Sequence, residues 1–316
     1  MSYPDWAEDL GHGIHAIDTG FQRPRFDAAY LVVQDGRAAF IDTGTNFAVP
    51  RLLGLLDALG LPREAVDHVI PTHVHLDHAG GVGTLMQALP RATLWVHPRG
   101  LRHMVDPSQL YQGALAVYGR AAMERDYGTL VPVPAERARP TADGMVIELA
   151  GRPLLVADTP GHAKHHHCLW DEASRGWFTG DTFGLSYREF DTARGAWIVP
   201  TSTPVQFEPE ALKASVERLL ARDPACMYLT HYSRVTDVPR LGALFLSLLE
   251  ETVQRARRLA PGAGRHAALC EMLRDLYISS LQAHGCQADN RQIIEWLTVD
   301  VELNAQGLAI WLDRAA

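Results

Sequence analysis

"PTHVHLDHAGG", residues 71–81, places three histidines and an aspartate within the six positions His73 to His78. The preceding "DHVI" (67–70) reads as a short strand, so the donors sit on a loop at a strand end, where several side chains can aim at one point. His73 and His75 are two apart, so extended backbone turns both to one side, and Asp77 continues that alternation. His78 follows at once and needs a turn to bring it round, which Gly80 and Gly81 permit, together with a close helix start. Four such donors do not all fit one ion that keeps an open coordination position; they suit two ions sharing a loop. The bland alternative is a His-rich surface peptide that binds metal adventitiously.

Two ions need more donors, and similar strand ends offer them: His162 in "DTPGH" (158–162), Asp181 in "TGDTFG" (179–184) and His231 in "LTHY" (229–232). Each follows an apolar, strand-like run. Seven donors from four loops fit a dinuclear centre with a bridging carboxylate. Their recurrence at strand ends weighs heavily against the adventitious reading.

Around these loops, "AYLVVQDGRAAFIDTG" (29–44) reads as two strands about an Asp35-Gly36 hairpin turn. Residues 47–59 carry a helical leucine stripe with Pro50 near its start. Residues 82–89 read as a helix, 92–97 as a strand and 98–127 as short helices. Strands are expected on both sides of Gly151, in a hairpin around 172–176 and over 226–231, with a helix over 209–221. The pattern up to about residue 235 implies two sheets, or one mixed sheet, with helices outside. Beyond it, Leu241, Leu244, Phe245, Leu248, Leu249 and Val253 repeat at helical spacing, and residues 265–284 and 289–314 also read as helices. We expect a catalytic domain over 1–237 and a helical C-terminal extension over 238–316.

With 47% apolar residues, the chain can bury a sizeable core. Its 29 basic against 37 acidic residues give a formal charge of −8, which argues against nucleic acid as a partner. The four cysteines form no C-x-x-C pair, and separated thiols fit a reducing compartment. The acidic N-terminus lacks a signal-like apolar stretch, and no run approaches the ~20 apolar residues of a membrane span. These features make a soluble, cytoplasmic protein with no membrane partner the expectation.

The series His73-x-His75-x-Asp77-His78, His162, Asp181 and His231 resembles the ligand set of the metallo-β-lactamase superfamily, with all seven positions matched. The lead-in "AAFIDTG" (38–44) and the "DTPGH" context match as well, and the likeness spans roughly residues 25–235. It implies an αββα sandwich with the metals at one edge of the two sheets. By the same resemblance, His73, His75 and His162 hold one metal, Asp77, His78 and His231 the other, and Asp181 bridges them. Asp77 is then also the catalytic residue, orienting a metal-bridging hydroxide. Imidazole and carboxylate donors suit two divalent ions, zinc first, with iron or manganese as alternatives.

The resemblance, with the glyoxalase II-like "TPGHAKHH" (159–166), implies hydrolysis of a small carboxylic ester, thioester or lactone. Other readings are a phosphodiesterase, an iron-dependent persulfide dioxygenase, or a non-enzymatic effector acting through the helical extension. His166 matches a histidine found near the site in glyoxalase II-like and lactonase-like members; a structural role is the alternative. Asp42 is expected behind the ligands. Tyr187, Arg188 and Tyr232 are candidate substrate contacts, each set against an ordinary packing role. Met104, Tyr111, Tyr118 and Tyr127 are candidate pocket walls or core. The partner expected is a small-molecule substrate. The C-terminal helices either cap the site or form a homodimer interface.

Overall fold

The computed structural model describes residues 3–315. Compact grouping divides the chain into two units. The first takes the chain up to Asp158, with His165–Gly180 and Ala225–Arg234. The second takes Thr159–Lys164, Asp181–Pro224 and everything from Val235 onward.

Among the described residues the strands form a seven-stranded and a six-stranded sheet. The first runs in sequence order: β1 (Ala7–Asp9), β2 (Ile14–Asp18), β3 (Ala28–Gln34), β4 (Arg37–Ile41), β5 (Val66–Ile70), β6 (Thr93–Val96) and β7 (Ala138–Pro140). Strands β1 to β4 pair antiparallel and β4 to β7 parallel. The second sheet takes β8 (Val146–Leu149), β9 (Arg152–Asp158), β10 (His167–Asp171), β11 (Gly176–Gly180), β12 (Cys226–Leu229) and β13 (Ser233–Val235). The expected hairpin forms where it was placed. Asp35 and Gly36 both have positive φ, at 47° and 73°, as a two-residue turn that follows strand twist requires.

Strand alternation divides the first unit's core. On β3 and β4, Tyr30, Val32, Ala39 and Ile41 face a cluster with Val156, Leu169, Phe178 and Tyr228 of the second sheet. Their neighbours Leu31, Ala38 and Phe40 face the opposite way and pack on helices. That helical layer comprises α1 (Val49–Leu59), the single turn α2 (Leu76–Ala79), α3 (Val82–Ala88) and α4 (Pro98–Val105). The expected short helices over 98–127 continue as α5 (Ser108–Tyr118), α6 (Arg120–Ala122) and a π-helical turn over Met123–Tyr127.

The second unit contains α7 (Pro209–Leu220), α8 (Val238–Arg257), α9 (Arg265–His284), α10 (Asn290–Trp296) and α11 (Thr298–Ala315). On α8 the apolar stripe is buried at Leu241, Phe245, Leu248, Leu249 and Val253. Helix α10 starts with a capping box, Asp289 accepting from the Gln292 amide and the Gln292 side chain from the Asp289 amide. Mixed α/β architecture with two sheets, helices and a helical C-terminal part is thus the fold expected from the sequence. Among the described residues no helix is long and apolar enough to cross a membrane.

Candidate metal centre

Strand β5 ends at Ile70, and the chain passes through Pro71 and Thr72 into the donor loop. The loop after β4 holds it in place. Thr43 donates to the His78 carbonyl from its amide (2.8 Å) and its hydroxyl (2.9 Å), and the Gly81 amide donates to the Gly44 carbonyl at 2.9 Å. Gly80 and Gly81, expected to permit the turn and a close helix start, both have right-handed helical backbone, and α3 starts directly after them at Val82. Close approach is the reason at Gly81: a Cβ there would lie 2.8 Å from the Thr45 carbonyl oxygen.

Five of the seven expected ligands lie in the first unit: His73, His75, Asp77, His78 and His231. Asp77, His78 and His231 offer ligand atoms that all fall within 4.8 Å of one another. The His78 Nε2 to Asp77 Oδ2 distance is 3.7 Å, and His231 Nε2 lies 3.4 Å from the same oxygen. Donors around one tetrahedral zinc ion, with bonds of about 2.0–2.2 Å, stand roughly 3.3–3.6 Å apart. The spacing therefore fits one ion. The ring tautomers fit as well. His78 Nδ1 faces Asp42 Oδ2 at 3.1 Å and His231 Nδ1 faces the Phe26 carbonyl at 2.9 Å, so each Nδ1 carries the proton and leaves an Nε2 lone pair toward Asp77. His73 Nε2 lies 2.9 Å from His75 Nδ1, and the His73 ring centroid is 4.0 Å from that of His78. Two imidazole nitrogens face to face are at rest only with a proton or a cation between them.

The other two expected ligands, His162 and Asp181, lie in the second unit, with His162 Nε2 at 3.5 Å from Asp181 Oδ2. Both are buried. The His162 loop is pinned: the Gly161 carbonyl accepts from the Glu208 amide at 2.8 Å, Pro160 O accepts from Ser215 Oγ at 2.7 Å, and the Lys164 amide donates to Gln206 Oε1 at 2.7 Å. All seven donors are nitrogen or carboxylate oxygen, a chemistry shared by zinc, iron and manganese.

Asp42 follows β4 directly, lies in the left-handed region (φ 56°) and is buried. Besides His78 it accepts from the Thr72 amide at 2.7 Å, the Thr72 hydroxyl at 3.0 Å and the Thr230 hydroxyl at 2.8 Å. It thereby links the lead-ins to both His73 and His231. His166 is buried with its ring stacked on His73, centroids 4.8 Å apart. His165 is also close to His73 and His75, and burial, with His75, His103 and His97 adding to it, pushes it down to about 2. His167 points elsewhere, its Nδ1 2.9 Å from the Thr141 hydroxyl. Tyr187 is buried and donates to Asp300 Oδ1 at 2.9 Å within the second unit, while Tyr232 packs in the cluster between the sheets. Arg188 turns its guanidinium onto the Ser186 carbonyl and Asp191. Met104 lies in the core under the helical layer, and Tyr127 is buried in a small cluster with Tyr111 and Tyr118 packed against it.

One neighbour of the site was not singled out in the sequence. Asp27, at the foot of β3, is completely buried and accepts from the Thr19 hydroxyl at 2.6 Å. Burial pushes its carboxyl up to about 7, against the pull of His231 and His78 and with a further push from Asp77. The only signal in the sequence is a carboxylate heading an otherwise apolar strand, "FDAAYLVV" (26–33).

The chain belongs to the metallo-beta-lactamase superfamily, whose family model matches residues 23–231. Within it, the chain is similar to a metallo-beta-lactamase fold-containing protein of Sulfurisphaera tokodaii, 25% identical over 219 residues, 65% of this chain and 74% of that protein. It is also similar to the atrochrysone carboxyl ACP thioesterase of Emericella nidulans, 27% identical over 153 residues, 48% of this chain but only 38% of that protein. Among solved structures, a metallo-beta-lactamase family protein from Thermus thermophilus superposes with a TM-score of 0.68 at 19% identity, over 97% of this chain and 95% of that one. Coverage of that extent places the C-terminal helices inside the shared fold.

Proposed function

We propose that this protein is a dinuclear metal-dependent hydrolase of a small carboxylic ester, thioester or lactone. The observation that carries the reading is the Asp77–His78–His231 cluster, with each imidazole tied back through Nδ1 so that its Nε2 faces Asp77. In the proposed centre, His73 and His75 act with His162, and Asp77, His78 and His231 form the second set, with Asp181 shared. When bound, two divalent ions lower the pKa of water to give a nucleophile near neutral pH and polarise the substrate oxygen. Zinc is the proposed metal, with iron or manganese accepted by the same donors.

The chain's own residues have distinct tasks in this reading. Asp42 and the Phe26 carbonyl fix the imidazoles of His78 and His231, so no reorganisation is needed as charge develops. Asp77, partly exposed beside them, orients the attacking water and holds its proton. Support for an acyl substrate comes from the likeness to a fungal ACP thioesterase over 153 residues. Metal analysis of the purified protein, followed by turnover on a panel of esters, thioesters, lactones and bis-p-nitrophenyl phosphate, tests the reading. We expect bound metal, acyl-substrate hydrolysis and a loss of about 10²-fold or more in Asp77→Ala. Undiminished turnover in that variant overturns the role given to Asp77, and activity on the phosphodiester alone overturns the substrate class.

A further inference from the structure

The helical unit holds a second group of donors, unrelated to the seven above. His266 and Cys270 lie one turn apart on α9, and Glu302 of α11 meets them. Their ligand atoms fall within 4.8 Å of one another. His266 Nε2 stands 3.0 Å from Glu302 Oε1, and Cys270 Sγ stands 3.6 Å from His266 Nε2 and 3.8 Å from Glu302 Oε2. Around a tetrahedral zinc ion, with Zn–S of about 2.3 Å and Zn–N and Zn–O of about 2.0–2.2 Å, such donors are separated by roughly 3.3–3.6 Å. Small side-chain adjustments would bring all three into a common shell.

We propose that His266, Cys270 and Glu302 form a separate site for zinc, or a divalent cation of similar softness, that clips α9 to α11. The i, i+4 spacing puts imidazole and thiol on one helix face, and the neighbouring helix supplies the third donor. A sulfur donor selects zinc over magnesium or calcium. Cys270 is buried and anchors the site, while His266 and Glu302 are about half exposed and leave an entry path and a water position. Thiolate and carboxylate together neutralise a divalent charge. Burial and the Glu302 carboxylate push the Cys270 thiol up in the metal-free protein, so binding sends a thiol proton to bulk water. The two helices are also joined by Arg265 with Asp313 and by the Tyr277 hydroxyl, 3.0 Å from Asn304 Nδ2. The fold therefore does not hang on the ion. The competing description is a surface His–Glu ion pair over a packing cysteine.

Titrating the full-length protein with Co²⁺ separates the two. A thiolate bound to cobalt gives a charge-transfer band in the near ultraviolet, and none of the seven donors proposed for the other centre is sulfur. With Cys270→Ser telling it from the thiols of Cys168, Cys226 and Cys286, the band reports this site whatever becomes of the hydrolase reading. We expect a saturable band, its loss in Cys270→Ser, and affinity lowered by about tenfold or more in His266→Ala and Glu302→Gln. The last two changes are on the surface and keep the fold testable if Cys270→Ser is unstable. No band in the native sequence, an equal band in Cys270→Ser, or unchanged affinity in both surface variants overturns the proposal.

Discussion

Asp42 is the residue whose loss should be felt furthest. Three side chains and an amide converge on its carboxylate, from Thr72, His78 and Thr230. Asp42→Ala leaves His78 without the acceptor that fixes its tautomer, and it frees the lead-in to His73. We expect metal affinity to fall about 10–100-fold, read by competition with a chromophoric chelator. At this scale the sequence was most legible where donors were dense. Three histidines and an aspartate in six residues stand out against any background. Asp27 did not, because a lone carboxylate in an apolar strand has no periodicity to betray it. Its burial is a product of which strands meet.

Pairs of elements carry the next predictions. Arg152 of β9 grips Asp171 of β10 with two bonds, Nε to Oδ1 at 2.7 Å and Nη2 to Oδ2 at 2.6 Å, and both residues are buried. Burial alone would push the Asp171 carboxyl up, but Arg152 and Ser174 outweigh it and hold the group below its ordinary value. The unfolded chain therefore takes up this proton first as pH falls. The stabilisation is whole above about pH 4 and is lost as pH drops through the lower, folded value. Asp171→Asn should cost about 3–5 kcal/mol at pH 7 by leaving Arg152 buried and unpaired. It should also flatten part of the acid limb, and urea midpoints measured from pH 7 down to pH 3 check both.

Asn304 of α11 plays a similar part in the second unit. Its side chain accepts from the Ser202 amide at 2.7 Å and donates to the Tyr277 hydroxyl, and Gly307, one turn on, runs so close to Ser202 that a Cβ would meet its carbonyl oxygen. Asn304→Ala strands two buried partners at about 1–3 kcal/mol each, so thermal unfolding should move down by several degrees. Elements were legible where an apolar run met a turn signal, as on β3 with its Asp35-Gly36 turn, or where a helical stripe was clean, as on α8. Strand β2 is buried along its whole length and offers no alternation, and β7 is three residues ending on a proline. Neither announces itself locally.

For the whole molecule, metal and stability are linked. Each ion bound only by the folded chain adds about 2.7 kcal/mol when its free concentration is a hundred times its dissociation constant. Stripping with a strong chelator should lower the melting temperature, and added zinc should restore it in a concentration-dependent way. A melting temperature indifferent to both would mean that the donors hold no stabilising ion. The grouping of residues 159–164 and 181–224 with the chain beyond 235 was not legible, because it depends on contacts between stretches far apart in sequence. That grouping also bears on synthesis. His162 and Asp181 are made near the middle of this sequence, before the helices α8 to α11 of the unit that houses them. Translation order thus delivers the partners that pin the His162 loop, Gln206, Glu208 and Ser215, ahead of the helices α8 to α11 that pack the rest of its unit.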